Sequence, residues 1–160
     1  MFRQGIDLKR VVVIPDEEDA IIKTVQELLD FVGPSGYVFT TGGIGPTHDD
    51  ITYESIAKAF GVGVELHEPT FAAMKELGGE KFPKPPHDGS VKRMATLPVG
   101  CKVLPSSSWA PVAVVHNVYI LPGVLSMVED MLTFNEQLFV GVIVRVSTHV
   151  LLWKVAMWRR

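Results

Sequence analysis

The sequence holds one cysteine, Cys101. A single thiol cannot close an internal disulfide, and no Cys-x-x-Cys pair is present to start a thiolate zinc site; a reducing compartment is the expectation. Positive charge is not in excess. The 15 Lys and Arg against 18 Asp and Glu leave a net charge of −3, so composition predicts no non-specific nucleic-acid partner. No uninterrupted apolar run is long enough to span a membrane. The nearest, Val140 to Trp158, is broken by Arg145, His149 and Lys154. Met1 to Asp7 contains no apolar core of signal-peptide length, and a soluble, cytoplasmic protein is expected. There is no internal repeat, no low-complexity tract and no Gly-x-x-x-x-Gly-Lys-Ser/Thr phosphate loop, which argues against a nucleotide-switch protein.

What is present is enough apolar material for one domain: 47% of 160 residues. Leu8–Ile14 reads as a buried strand. Pro15-Asp16 ends it, with Asp16 as the expected N-cap of a helix through Val32. Tyr37–Thr41 is a second strand and Gly42–Thr47 a loop. Thr52–Phe60 is a second helix, stopped by Gly61. The β-α-β-α order predicts a mostly parallel sheet covered by helices. Further on, Val62–Leu66 is strand or loop, Thr70–Leu77 a helix, and residues 80–90 a surface loop rich in Pro and Gly. Lys102–Leu104 is a short strand. Val112–Val115 and Val118–Leu121 form a hairpin broken at His116-Asn117, and Val124–Leu138 is a helix. Val142–Val150 alternates like an amphipathic strand. Leu151–Arg160 reads as a terminal helix, a membrane-surface or partner-facing patch, or an aberrant end.

The strand, glycine loop and helix of Tyr37–Gly61 form a device for holding anions: glycines let the backbone approach a ligand, and the helix start presents amide donors. Asp49 and Asp50 stand at its mouth. Carboxylates there bind a metal that binds phosphate, accept protons, or cap the helix. All three readings stand on the residues alone. His48, Lys92 and Arg93 can meet a phosphate, although such residues are more often solvated. Trp109 can stack on a flat ring or sit in the core.

The string Thr40-Thr41-Gly42-Gly43-Ile44-Gly45-Pro46-Thr47-His48-Asp49-Asp50-Ile51-Thr52 resembles the signature of the MoaB/Mog molybdopterin-binding-like family. Its Gly-Pro-Thr-His-Asp-Asp form is similar to the branch of CinA-type proteins and eukaryotic FAD synthases. Ala57–Gly61, Arg93–Ala95 with Leu97-Pro98, Ala110-Pro111 and Asn117–Val124 resemble the same branch, so the likeness spans about Leu8 to Gly141. The resemblance implies a three-layer α/β/α fold with a mostly parallel sheet, an oligomer, and a pocket built from two glycine loops. It implies a ligand that is a phosphorylated pterin or a dinucleotide pyrophosphate such as FAD or ADP-ribose, bound with magnesium or another divalent metal. Carried onto this sequence, the ligand loop is Thr41, Gly42, Gly43, Gly45 and Thr47, joined by Pro122 and Gly123. Asp50 is the first candidate for catalysis and metal, and Asp49 the second.

The sequence departs from the family in three places. The family's opening strand with a Gly-Asp-Glu turn, and the helix after it, are not found here. Leu125 follows Val124 where the second loop is expected to carry a proline. The tail after Gly141 does not follow the family. The expectation is a family domain over residues 1–141 lacking its first β-α unit, with an atypical tail over 142–160. The alternative to a ligand-binding or enzymatic domain is an inactive interaction or oligomerisation module that keeps only the fold.

Overall fold

Runs of β-branched residues and helical repeats sort this chain into alternating strands and helices around one sheet. The computed structural model describes residues 7–81, 88–106, 110–139 and 148–153. In chain order the elements are β1 (Asp7–Val13), α1 (Glu18–Val32), β2 (Tyr37–Thr41), α2 (Thr52–Ala59), β3 (Val64–Leu66), α3 (Glu68–Lys81), α4 (Asp88–Met94), β4 (Thr96–Pro98), β5 (Lys102–Leu104), β6 (Val112–Val115), β7 (Val118–Leu121), α5 (Leu125–Phe134) and β8 (Thr148–Trp153). A 3-10 turn, Glu136–Phe139, follows α5.

Six strands form the main sheet in the order β1-β8-β2-β7-β6-β5. The first four run parallel, and β6 and β5 are antiparallel additions. Strand alternation sends successive side chains to opposite faces. Val38 therefore packs with Ile21, Val25, Leu28 and Ile56 of α1 and α2, whereas Phe39 packs with Met131 of α5 and with Phe139. The result is the expected three-layer α/β/α arrangement with a mostly parallel sheet. Beside it, β3 and β4 pair antiparallel, and α3 and α4 close a small cluster of Met74, Val91, Met94 and Ala95.

The strand and hairpin expectations hold closely, and four local ones do not. The N-cap of α1 is Glu17 rather than Asp16, and its side chain makes no cap bond. α3 runs through Gly78-Gly79 to Lys81 instead of stopping at Leu77. Its start is fixed from outside, since His67 Nδ1 accepts the Thr70 amide at 3.3 Å. Residues 82–87 of the expected loop lie outside the described residues, but Asp88–Ser90 open α4, which burial of Val91 and Met94 holds in place. The final helix ends at Phe134 and gives way to the 3-10 turn.

The tail supplies an inner strand. β8 lies parallel between β1 and β2, with Val13 and Thr41 both in register with Trp153. Leu151–Trp153 is thus strand, not helix; residues 142–147 and 154–160 of the tail lie outside the described residues. Among the described residues β1 reaches the rest of the sheet only through β8. No helix of the described residues is long and apolar enough to cross a membrane.

Two predictions follow the packing. Ending the chain before Thr148 removes both pairings of β8, so cooperative thermal unfolding followed by circular dichroism should broaden or vanish; an unchanged midpoint would show that β8 does not hold the sheet. Tyr53 is fully buried in α2 and its hydroxyl has no partner; burial, with a smaller push from Cys101, drives its ionisation far above the ordinary range. Replacing a buried unpartnered hydroxyl by an apolar group of the same shape is neutral or stabilising. Tyr53→Phe is therefore expected to hold or gain stability, by up to about 1 kcal/mol, in a denaturant titration, and a loss of that size would reveal a bond to the hydroxyl.

Candidate active site

Four parallel strands end at one edge of the sheet, and the site lies there. β2 stops at Thr41 and the chain turns through Gly42 (φ 92) and Gly43 (φ 65), both in the left-handed region that favours glycine. The Gly42 N–H donates to Leu121 O of β7 at 3.0 Å. The two glycine carbonyls turn toward α2: Gly42 O accepts from Thr52 Oγ1 at 3.0 Å and Gly43 O from the Thr52 amide at 2.9 Å. Thr52 thus seals the loop to the helix and leaves the amides of Gly43, Ile44 and Gly45 without a backbone acceptor among the described residues. Successive free amides in a glycine turn make an anion-binding concavity.

The second loop comes directly against the first. A Cβ placed on Gly123 would lie 3.3 Å from the Gly42 Cα. Pro122 is buried beneath this contact and Gly123 is exposed. The fold therefore brings together Gly42, Gly43, Gly45, Thr47, Pro122 and Gly123. Thr40 and Thr41, the last residues of β2, are 1% and 5% exposed, and the Thr40 hydroxyl has no partner among the described residues.

Asp50 closes the loop. Its Oδ2 accepts the Thr47 amide at 3.0 Å and the Thr47 hydroxyl at 2.6 Å, and its own amide donates back to Thr47 O at 3.2 Å. Gly45 makes room for this carboxylate, since a Cβ there would fall 2.7 Å from Oδ2. Neither aspartate caps α2. The N-cap is Ile51, and no side chain bonds the helix start from that position. Asp49 is exposed. The Thr47 hydroxyl, the backbone amide of Asp49 and the charges of His48 and Arg93 outweigh desolvation and hold the Asp49 carboxyl below its ordinary 3.8. It is therefore ionised at neutral pH.

Among the described residues, no group of three or more His, Cys, Asp and Glu side chains is placed to hold a metal ion. The donor set nonetheless fits magnesium, which is held by one or two carboxylates together with substrate phosphate oxygens. Asp49 offers a free carboxylate for that task, and Asp50 offers the oxygen that Thr47 leaves open.

Arg93 belongs to the site, although by sequence it is a surface cation. Its Nη2 donates to the Asp50 carbonyl at 2.8 Å and lies 3.3 Å from the Glu54 carboxylate, so α4 buttresses the loop and α2 together. Its Nε is buried without a partner. Nothing local marks this role, because Arg93 and Asp50 meet only through the fold. Lys92 stays exposed, and Trp109 lies outside the described residues. His116 stacks on Phe60, with centroids 4.8 Å apart, on the turn between β6 and β7.

The clash at Gly45 is testable. Gly45→Ala should destabilise the protein by about 1–3 kcal/mol, as overpacking does. In an Asp50→Ala background, which removes the carboxylate the methyl would strike, the same change should cost much less. Chemical denaturation of the four proteins reads the coupling, and equal costs in both backgrounds would mean that the methyl meets something else.

A family model described as a probable molybdopterin binding domain matches residues 1–138. A protein of Caldivirga maquilingensis is 34% identical over 145 residues, covering 80% of this chain and 50% of the relative. A CinA-like protein of Geobacter sp. is 32% identical over 143 residues, covering 82% of this chain and 32% of the relative. The chain thus spans half or less of these curated relatives. A crystal structure of the protein CinA from Thermoplasma acidophilum superposes with a TM-score of 0.69 at 29% identity, covering 85% of this chain and 79% of that one. The match over residues 1–138, with both glycine loops and the Asp49-Asp50 pair inside it, means that this chain belongs to the molybdopterin-binding domain family, with CinA-like proteins among its relatives.

Proposed function

We propose that this chain binds a phosphorylated small molecule, a pterin phosphate or a dinucleotide pyrophosphate such as FAD or ADP-ribose, with its phosphate on the Gly42–Thr47 loop beside Pro122 and Gly123. The observation that carries the proposal is the backbone contact between Gly42 and Gly123, which sets two turns side by side at the carboxyl ends of parallel strands. Open α/β sheets hold ligands at that edge. The amides of Gly43, Ile44 and Gly45, which have no backbone acceptor among the described residues, are the donors on this side.

The two carboxylates divide the work. Asp50 keeps the loop in shape through Thr47. Asp49, ionised and exposed, is the residue that holds a divalent ion against the phosphate. When bound, such an ion neutralises charge on phosphoryl oxygens and so favours attack at phosphorus. In titration calorimetry with ADP-ribose, FAD and a pterin phosphate, Asp49→Asn should weaken binding tenfold or more in the presence of magnesium and leave the unfolding midpoint where it was. Unchanged affinity would remove Asp49 from the site. Asp50→Asn should lower both affinity and midpoint, because it also weakens the loop.

A second reading, a non-catalytic interaction module, draws on one observation. β1 is the edge of the sheet among the described residues, and Val11 and Val13 on it are 50% and 60% exposed. An exposed edge is a template for pairing with another chain. Light scattering that finds an assembly, dissociated by Val13→Lys, together with no heat from any of the three ligands, would favour this reading over the first.

A further inference from the structure

A cavity lies on the α5 face of the sheet, toward the end away from the glycine loops. It has a volume of about 350 Å³, at the small end of the range for ligand sites, and Tyr37, Lys102, Leu104, Val114, Tyr119 and Leu138 are among the residues that line it. Tyr37 opens β2 and Thr41 closes it, so at about 3.3 Å per residue the Tyr37 wall stands ~13 Å before the Gly42 turn. The floor is a row of paired positions: Lys102 with Val114, Val114 with Tyr119, and Tyr119 with Phe39. Paired positions share a face of the sheet, and Val114, Tyr119 and Phe39 place it on the side of α5. Leu104, two residues on from Lys102, belongs to the same face. β8 lies on the other side of β2 from this row.

The walls are held from outside the cavity. Tyr37, Phe39, Tyr119 and Phe139 form an aromatic cluster with ring centroids 5.1 to 6.2 Å apart. The Tyr37 hydroxyl donates to Leu138 O at 3.3 Å and ties the 3-10 turn to that cluster. At the end of the row, Asn117 Nδ2 donates to Gly33 O at 3.1 Å and to Gly36 O at 2.8 Å. His116, which also lines the cavity, is held at φ 53, a conformation that residues other than glycine rarely adopt.

Two polar groups are left over. The Lys102 ammonium is exposed and has no carboxylate partner among the described residues, and the Tyr119 hydroxyl makes no hydrogen bond there. Burial, and then the neighbouring Tyr37, push the Tyr119 ionisation up, so at neutral pH this phenol keeps its proton and donates. No carboxylate lines the cavity. Lys102 and Tyr119 stand two strand spacings apart, ~10 Å, with Val114 between them. Long side chains at that separation can both reach one group placed over Val114.

We propose that this cavity is a second ligand site, which takes a small aromatic monocarboxylate with its carboxylate between Lys102 and Tyr119 and its ring on the apolar floor of Val114 and Leu104. A carboxylate has two oxygens, one for each unused donor, and its single charge is matched by one ammonium. A phosphate dianion would leave a second charge without a counterion in a half-apolar cavity. The rigid tyrosine wall favours a flat ring over a flexible chain, since edge-to-face contacts between aromatic rings add to the area they bury. The site needs neither the glycine loops nor a metal, so it does not rest on the proposed function.

The test is titration calorimetry on the full chain with phenylacetate, 2-phenylethanol and inorganic phosphate. The variants are Lys102→Gln, Lys102→Arg and Tyr119→Phe, with Lys23→Gln as a control that removes the same charge from an exposed position on α1. A thermal melt checks that each is folded. Phenylacetate is expected to bind saturably, and Lys102→Gln or Tyr119→Phe to weaken it about tenfold, as the loss of a hydrogen bond to a charged group does. Lys102→Arg should keep most of the affinity and Lys23→Gln all of it. 2-Phenylethanol, which has the ring without the charge, should bind far more weakly. Absence of saturable phenylacetate binding would overturn the proposal, as would equal binding of 2-phenylethanol or an equal loss in Lys23→Gln. Inorganic phosphate that binds as tightly as phenylacetate, and is lost in Lys102→Gln, would overturn the assignment to a carboxylate.

Discussion

The backbone contact between Gly42 and Gly123 is the constraint on which the rest of the site depends. Two turns from strands that are neighbours in the sheet but distant in sequence pass this closely beside a glycine, since a Cβ on Gly123 would stand 3.3 Å from the Gly42 Cα and push the turns apart by a few tenths of an ångström. β2 and β7 must be paired to their last residues to bring the turns level, and the Gly42–Leu121 hydrogen bond extends that pairing into the turn. Once it is made, the Gly42 and Gly43 carbonyls have to face α2, and Thr52 receives both through its hydroxyl and amide. The direction of the Gly43 and Ile44 amides is then settled by exclusion, since a peptide group whose oxygen faces the helix directs its N–H the other way.

Asp50 enters as the second element of the same architecture. A carboxylate drawn into the loop by the Thr47 hydroxyl and amide needs space, and Gly45 provides it. The adjacent Asp49 faces solvent and keeps its charge. Two identical side chains in succession therefore have different duties because one points into the turn and the other out of it. Arg93 ties this arrangement to the small β3–β4 unit through the Asp50 carbonyl and Glu54. The loop is thus braced from the sheet, from α2 and from α4.

How much of this was legible in the sequence depends on how local each signal is. Tyr37–Thr41, the glycine loop and the hairpin around His116-Asn117 are written in contiguous residues, and they stand where the sequence put them. α4 was read as loop because Asp88–Ser90 carry turn-forming residues, and only the burial of Val91 and Met94 against Met74 overrides them. The continuation of α3 past two glycines is another local preference that the fold outweighs. The family string pointed to both aspartates and put Asp50 first; which of the two turns into the loop lies in side-chain direction, which the string does not carry. Arg93 is marked in the sequence as a cation that can meet a phosphate, but its place against the Asp50 carbonyl is defined by a loop 43 residues earlier.

Among the described residues β8 is the last of eight strands in sequence and yet an inner strand of the sheet, flanked by β1 and β2, which precede it by more than a hundred residues. Among the described residues the one strand that pairs with β1 is β8, so β1 and α1 are made long before residues beyond 147 can join them. Contacts that close so large a loop are slow to form. Domains that assemble during translation usually settle from the amino end; this one cannot finish its sheet until its final strand arrives. Through that interval the side of β1 that β8 covers stays open, a template for pairing with a neighbouring nascent chain until that strand is delivered.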